Sequence, residues 1–298
     1  MRSHLPPLAA IRVFEAAARH RNFTTAAAEL GMTQAAVSYQ IKVLEERVGA
    51  ALFLRRARGV ELSEIGAQFA QKSTDALDIL GDAFARARGR TEETLVISVI
   101  PTFATNFLAQ RLGCFQIDNP SIAVRVEVNQ SLVDFASDGF DLAIRSGKGN
   151  WPGLKSHLLV PVAFTPMLSP ALAEKAGGIH QPADLLKLPI VEPSDPWWHQ
   201  WFAEAGVTDA NLATQPGLQF GSQVLEANAA IAGQGIGILT PAFYKDEVKQ
   251  NRLYQPFDLV CNADQGYWLV YPESRRNLAK IKLFRNWLET KVAEFNQA

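Results

Sequence analysis

Gln34, Ser38 and Lys42 follow one another at intervals of four, with Thr33, Ala35 and Tyr39 beside them, and Arg55, Arg56 and Arg58 come shortly after with no acid between them. Amide, hydroxyl and small side chains on one helical face can meet base edges in a major groove. A short run of guanidinium groups can meet phosphates. The chemistry these residues suggest is recognition of double-stranded DNA, in which no bond is made or broken.

The elements needed to position them can be read around them. An alanine-rich helix from Thr24 to Leu30 stops at Gly31, a residue that can take the positive φ of a tight inter-helix turn, and Thr33 can cap the next helix. In that second helix Val37, Ile41, Leu44 and Val48 form one apolar stripe, so Ala35, Ser38, Tyr39 and Lys42 point outward and Gln34 lies in the first turn. An amphipathic helical hairpin with a polar face would satisfy the same pattern. Leu52 to Leu54 and Val60 to Leu62 then read as two short strands around Arg55, Arg56, Arg58 and Gly59, a hairpin with a basic tip. It is either a solvated turn or the wing of a winged helix-turn-helix, and its place directly after a recognition-like helix favours the wing.

Charge is segregated along the chain. The 298 residues carry 29 Lys plus Arg and 30 Asp plus Glu, yet residues 1–60 hold nine basic and four acidic side chains, whereas residues 91–298 hold 16 and 21. Phosphate affinity is expected at one end only. The length calls for two or three domains. No apolar stretch approaches a membrane span and no secretory leader is evident, so a cytoplasmic protein without membrane partners is expected. Cys114 and Cys261 lack metal-ligand spacing and the histidines are scattered, so no metal or other cofactor is expected. The two cysteines read as buried small hydrophobes, with a redox pair as the alternative.

Residues 63 to about 88 contain no proline and read as one long helix, with Ile65, Phe69, Leu77, Leu80 and Phe84 at roughly helical spacing. The stripe is too thin to fold alone. Either the same helix of a second subunit covers it, giving a dimer, or the chain's own domains do. The polar stretch Arg86–Glu93 reads as a hinge. From Thr94 onward strands and helices alternate: strands at Leu95–Ile100, Ile122–Val128, Asp141–Arg145, Val162–Leu168, Pro189–Val191, Ile236–Leu239 and Tyr267–Tyr271, helices at Phe103–Ile117, Leu132–Ser137, Pro182–Leu186, Trp197–Ala205, Gln223–Ala232 and Leu278–Phe295. This is the grammar of an α/β domain with a parallel sheet, here as two small lobes joined by crossing strands.

Taken together, Leu5-Pro6-Pro7-Leu8 with Phe14 to His20, the Phe23 to Leu44 segment, Leu52-Phe53 with Arg55 and Arg58-Gly59, Phe140 to Arg145 with Gly147, Asn150 to Leu154, and Gly233 to Gly237 resemble the LysR-type transcriptional regulators, most closely their glycine-cleavage-activator and AmpR-like branch. The resemblance implies a multidomain chain: an all-α winged helix-turn-helix over 1–62, a linker helix over 63–90, and a periplasmic-binding-protein-like effector domain over 91–298. Lobe 1 of that domain would take about 94–161 and 270–298, and lobe 2 about 162–269. The resemblance also implies homodimers or homotetramers and control of transcription by a small molecule, and leaves RNA polymerase open as a further partner.

In the family the ligand lies between the lobes. Two helix starts, Thr102-Phe103 after Pro101 and Ser222 after Gly221, would aim N–H groups and positive dipole ends into such a cleft, which suits an anionic effector. Tyr267 matches a ligand-contacting tyrosine of the AmpR branch, Arg145 could hold a carboxylate, and Ser131 joins the candidate set. Plainer readings stay open: Thr102 and Ser222 as helix caps, and Arg145 held by an acid such as Asp141. Gly233-Gln-Gly235-Ile-Gly237 follows a helix instead of a strand, so it is no dinucleotide loop. Trp197, Trp198 and Trp201 with Phe202 read as lobe core and rim. Two other classes stay open, an enzyme with an accessory DNA reader and a DNA-binding protein without a ligand; no catalytic constellation supports the former.

Overall fold

The computed structural model describes residues 5–56, 59–87, 93–135, 137–208, 210–212 and 217–297. Helices α1 (Leu8–His20), α2 (Phe23–Leu30) and α3 (Gln34–Val48) pack around Ala10, Phe14, Ala17, Val37, Ile41 and Leu44. Asn22 starts α2, its side-chain oxygen accepting the Thr24 and Thr25 amides at 2.8 and 3.2 Å. Gly31 ends it with φ at 64°, and Thr33 Oγ1 accepts the Ala36 amide at 3.2 Å to open α3. Three of the four stripe residues are buried as expected. Val48 is instead 37% exposed, because it is the last residue of α3 before Gly49 and projects beyond the core.

Strands β1 (Phe53–Arg56) and β2 (Gly59–Leu62) pair antiparallel as the wing. The expected basic tip is redistributed: Arg55 and Arg56 belong to β1, opposite Val60 and Gly59, and Arg58 lies outside the described residues. Glu45 on α3 accepts the Leu52 and Phe53 amides at 2.7 and 3.1 Å, which fixes the wing to that helix. Helix α4 (Glu64–Ala87) follows, opened by Ser63 Oγ, which accepts the Gly66 amide at 2.9 Å. A Cβ at Gly66 would lie 2.0 Å from the Leu52 carbonyl oxygen, so this close approach requires glycine.

The expected apolar seam of α4 divides. Phe69 is part of the head, its ring centroid 5.2 Å from that of Phe14, because the first turns of α4 complete the head's core. Leu77 is half-buried and lines a cavity between α4 and the C-terminal domain. Ile65, Leu80 and Phe84, together with Ile79, which the spacing did not single out, remain 44 to 60% exposed.

The C-terminal domain is built on β3 (Glu93–Val99), β4 (Ile122–Val128), β5 (Leu142–Gly147), β6 (Leu154–Met167), β7 (Gly237–Leu239) and β8 (Cys261–Pro272), in the spatial order β4-β3-β5-β8-β6-β7. Pairing is parallel for β3 with β4 and β5, and antiparallel for β5 with β8, β8 with β6 and β6 with β7. The all-parallel expectation therefore holds for three strands only. The cause is the pair of long strands β6 and β8, which run through both lobes in opposite directions and shift register between Leu158 and Val160 and again between Pro161 and Ala163.

Several expected elements change. Phe103–Ile117 is no single helix but a short Pro101–Phe103 turn, a π-helical stretch Ala104–Leu108 and a helix Leu112–Asp118. Described residues of 132–137 form turns and irregular chain instead of a helix. Pro189–Val191 contributes one bridge, Ile190 to Ile236, instead of a strand. The helix Ala279–Gln297 returns to lobe 1, where Phe284 and Leu288 are buried with Phe115 and Leu95. Trp198, Trp201 and Phe202 are fully buried in lobe 2, and Trp197 stacks on Phe164 at 4.8 Å. Cys261 is buried, whereas Cys114 is exposed, contrary to its expected burial, on the outer face of a short amphipathic helix.

Candidate functional site: the head face and the interlobe cleft

The outward face of α3 is set by its buried stripe. Thr33, Gln34, Ala35, Tyr39 and Lys42 are exposed and Ser38 is half-buried between them, so the polar set forms one accessible surface. Lys42 lies 3.9 Å from Glu46 one turn on, a contact between two well-exposed side chains that leaves the ammonium group accessible.

The second locus lies where the lobes meet. The Pro101–Phe103 turn follows β3 in lobe 1 and abuts the lobe 2 helix Gln223–Ile231. Thr102 and Phe103 are buried, and the Phe103 ring lies 6.1 Å from that of Tyr267 and 6.0 Å from that of Phe243. Phe243 also packs on Tyr267 at 4.9 Å and on Phe295 at 5.7 Å, so an aromatic cluster bridges the two lobes. Gln130, just beyond β4, faces Gly221: a Cβ there would stand 3.6 Å from its amide oxygen.

Several polar atoms at this junction are buried without a hydrogen-bond partner among the described residues: Ser222 Oγ, Thr240 Oγ1, Tyr244 OH and Asn106 Nδ2. Ser222 occupies the N-cap position of its helix, yet its hydroxyl caps nothing, so the plain capping reading fails there. Thr102 likewise makes no cap contact; it is the second residue of its turn, after Pro101. Asn106 lies beside Tyr244 and Thr240 beside Tyr267, each near enough to hold down part of the rise in its neighbour's pKa, though neither pair has the geometry of a well-formed hydrogen bond. Burial raises the pKa of both tyrosines, so both stay protonated donors at neutral pH.

Glu226, one turn into the same helix, is 2% exposed. Burial, reinforced by the neighbouring charges of Asp195 and Glu192, pushes its carboxyl up to about 8, against the lowering effect of the Ile238 amide that it accepts at 2.8 Å. The group is therefore largely neutral at pH 7.

Arg145 does not reach out for a carboxylate. It is 5% exposed; its Nη1 donates to the Ile144 carbonyl at 2.9 Å, and its Nη2 donates to Ser98 Oγ at 2.6 Å, Asn129 Oδ1 at 2.8 Å and the Ser131 carbonyl at 3.0 Å. Nor does Asp141 hold it, since that acid accepts the Val96 amide and pairs with Lys280 at 2.7 Å. Burial lowers the Arg145 pKa to about 10. Ser131 enters through its backbone oxygen, with its own side chain exposed.

The junction of the lobes thus brings together Thr102, Phe103, Ser222 and Tyr267 from the sequence-derived set, with Arg145 and Ser131 on its lobe 1 side. The sequence reading missed Asn106, Gln130, Glu226, Thr240 and Tyr244. Gln130 and Thr240 carried a signal, because both follow the carboxyl ends of strands, where ligands of open α/β sheets gather. Tyr244 and Asn106 carried none. Among the described residues no group of three or more His, Cys, Asp or Glu side chains is arranged to hold a metal ion.

The description "Bacterial regulatory helix-turn-helix protein, lysR family" matches residues 8–67, and "LysR substrate binding domain" matches residues 88–293. The glycine cleavage system transcriptional activator of Escherichia coli (strain K12) is 36% identical over 295 residues, which cover 98% of this chain and 96% of the relative. Among solved structures, the AmpR effector binding domain from Citrobacter freundii superposes with a TM-score of 0.61 at 29% identity, covering 68% of this chain and all of that one. The same domain carrying a threonine-to-valine, a serine-to-alanine and a tyrosine-to-phenylalanine substitution gives 0.60 at 28%, covering 67% of this chain and 100% of that chain. The relatives are regulators of transcription, which removes the alternative of an enzyme with an accessory DNA reader. With both family matches in chain order and a relative similar almost end to end, this chain belongs to the LysR family of bacterial transcriptional regulators.

Proposed function

We propose that this regulator is controlled by a small anionic effector held between the lobes by Thr102, Phe103, Ser222 and Tyr267, with Asn106, Thr240 and Tyr244 completing the contact set. The observation that carries this reading is a set of buried, poorly satisfied polar groups at the lobe junction: Ser222 Oγ without a hydrogen-bond partner among the described residues, together with the loosely matched pairs Asn106–Tyr244 and Thr240–Tyr267. A buried polar group left unmet costs about 1–3 kcal/mol, so a ligand that meets several gains affinity from each. These groups are hydroxyls and an amide N–H, able to donate, and the Gln223–Ile231 helix adds the amides of its first turn. Donors of this kind suit a carboxylate or other oxyanion. Glu226, holding its proton up to about pH 8, offers such an anion little repulsion. The residue types replaced together in the Citrobacter freundii variant, a threonine, a serine and a tyrosine, are those of Thr102, Ser222 and Tyr267. Arg145 serves this site from behind, by holding Asn129 and Ser131.

Thermal-shift titration with amino acids, short-chain acids and cell-wall fragments, each paired with its neutral amide, tests the reading. A ligand that binds only the folded state raises the melting temperature by mass action. The expected result is a shift with an acid that is lost with its amide and lost again in the Thr102→Val, Ser222→Ala, Tyr267→Phe variant. Equal shifts for acid and amide would contradict an anionic effector, and an unchanged shift in the variant would contradict the site.

At the other end, α3 serves as the major-groove reader through Gln34, Ala35, Ser38, Tyr39 and Lys42, with Thr33 at its start, while Arg55, Arg56 and Arg58 contact phosphate. The exposed α4 residues Ile65, Ile79, Leu80 and Phe84 supply the seam of a homodimer, which could pair into a tetramer. Action on transcription makes the cytoplasm the working compartment and RNA polymerase the next partner to test.

A further inference from the structure

One irregular segment of lobe 1 is held toward both ends by buried arginines. The sheet of lobe 1 has two faces. One carries Leu95, Ile97, Val99, Leu142 and Ile144 into the main core; the other carries Val96, Ser98, Ala143 and Arg145. The chain from Asn129 to Asp141 crosses this second face. At its start Arg145 donates to the Asn129 side chain and to the Ser131 carbonyl, at 2.8 and 3.0 Å. Further along, Arg275 donates from Nη1 to the Phe140 carbonyl at 3.0 Å and from Nη2 to the Phe135 carbonyl at 3.2 Å. Arg275 is 4% exposed, and its Nε lies 3.8 Å from Oδ1 of Asp75, which is 3% exposed and sits mid-way along α4.

We infer that the Asp75–Arg275 pair is a latch, and that it ties α4 to the 129–140 segment so that a change at the cleft rim reaches the head within one subunit. Three features support this. Gln130, beside the Asn129 that Arg145 grips, faces Gly221 next to Ser222, so the segment begins at the cleft. The described residues of the segment form neither helix nor strand, Leu132 is 81% exposed, and the apolar anchors are Val133, Phe135 and Phe140. A charge pair buried on both sides tolerates separation poorly, because opening it strands a charge out of water. The segment is thus tied within itself by the turn between Asp134 and Asp138 and gripped by an arginine toward each end, so displacement at one end is passed to the other.

The inference rests on the cleft reading only for where a signal starts, and its test needs no effector. Hydrogen exchange of the full chain is measured for Asp75→Asn, which removes the charge at the α4 end, and for Asn129→Ala, which removes a contact at the cleft end. Coupling between two sites is reciprocal. Asp75→Asn should therefore speed exchange over residues 129–131, and Asn129→Ala should speed exchange in α4 around residues 71–79, each by about fivefold or more. If Asp75→Asn unfolds the head, seen as lost protection in α1, Asp75→Glu carries the same expectation with the charge kept and the geometry displaced. Changes confined to the altered end, or no change in either variant, would overturn the latch. Reciprocity without any ligand response in the titrations above would leave the latch standing and count against the cleft.

Discussion

Ser38 and Gln34 differ from the wing arginines in what their loss should do. If the short polar groups on α3 read bases as proposed, Ser38→Ala or Gln34→Ala should cost about 1–3 kcal/mol at a specific site and little on random duplex. Arg56→Ala should weaken both duplexes and reduce the slope of affinity against salt by about one. Fluorescence anisotropy on the two duplexes at several salt concentrations reads both effects; equal losses for Ser38→Ala on both would remove α3 from the groove. Glu226 offers a separate test. Its carboxyl titrates at about 8 in the fold against an ordinary value of 4.5, so the folded state holds more protons through that interval. Stability contributed by the neutral group is complete below 4.5, falls as pH rises, and is gone above about 8. Glu226→Gln keeps the oxygen that meets the Ile238 amide and removes the titration. Its stability relative to the native chain should rise by a few kcal/mol between about pH 5 and about pH 8, seen in tryptophan-monitored melts. A constant difference would show that the carboxyl is already ionised in the fold.

Helix α4 shows how far spacing alone can be read. Its 3.6-residue rhythm correctly indicated a long helix with apolar residues on more than one turn, but rhythm cannot say which neighbour covers which turn. Phe69 belongs to the head because α4 passes against Phe14, and Leu77 belongs to the joint with lobe 1, contacts fixed by the tertiary path. Leu80→Asp or Ile79→Asp should shift sedimentation toward monomers with the head folded. Phe69→Ala should instead lower head stability by about 3 kcal/mol with association unchanged. Unchanged sedimentation for both aspartate variants would place the seam elsewhere. The effector domain was legible in the same partial way. Ile122–Val128 matched its strand because alternation and flanking turns are local, and the expected Trp197–Ala205 helix is found at Pro196–Glu204, where Asp195 caps a start that the sequence reading did not use. The 129–140 segment was not legible, since Leu132 and Phe135 suggest a helix while the carbonyls that Arg145 and Arg275 grip hold the chain in another shape. Both arginines come from elsewhere in the sequence, so no window around the segment reveals them. The same limit hid Tyr244 and Asn106 in the cleft.

At the scale of the whole molecule, a basic head and an acidic two-lobed effector domain are joined by one helix that touches both. DNA binding belongs to the helix-turn-helix head and effector binding to the C-terminal domain, for which the interlobe cleft is the proposed site. A ligand can shift the balance between two arrangements only by its difference in affinity for them. Replacing cleft hydroxyls should therefore change response and leave DNA occupancy largely intact. The most direct measurement is transcription from promoters that the protein occupies, found by genome-wide mapping, compared between the native chain and the Thr102→Val, Ser222→Ala, Tyr267→Phe variant. The expected result is unchanged occupancy with transcription fixed at one level across growth conditions that move the native response. A variant that occupies the same promoters and still responds as the native chain does would contradict the account.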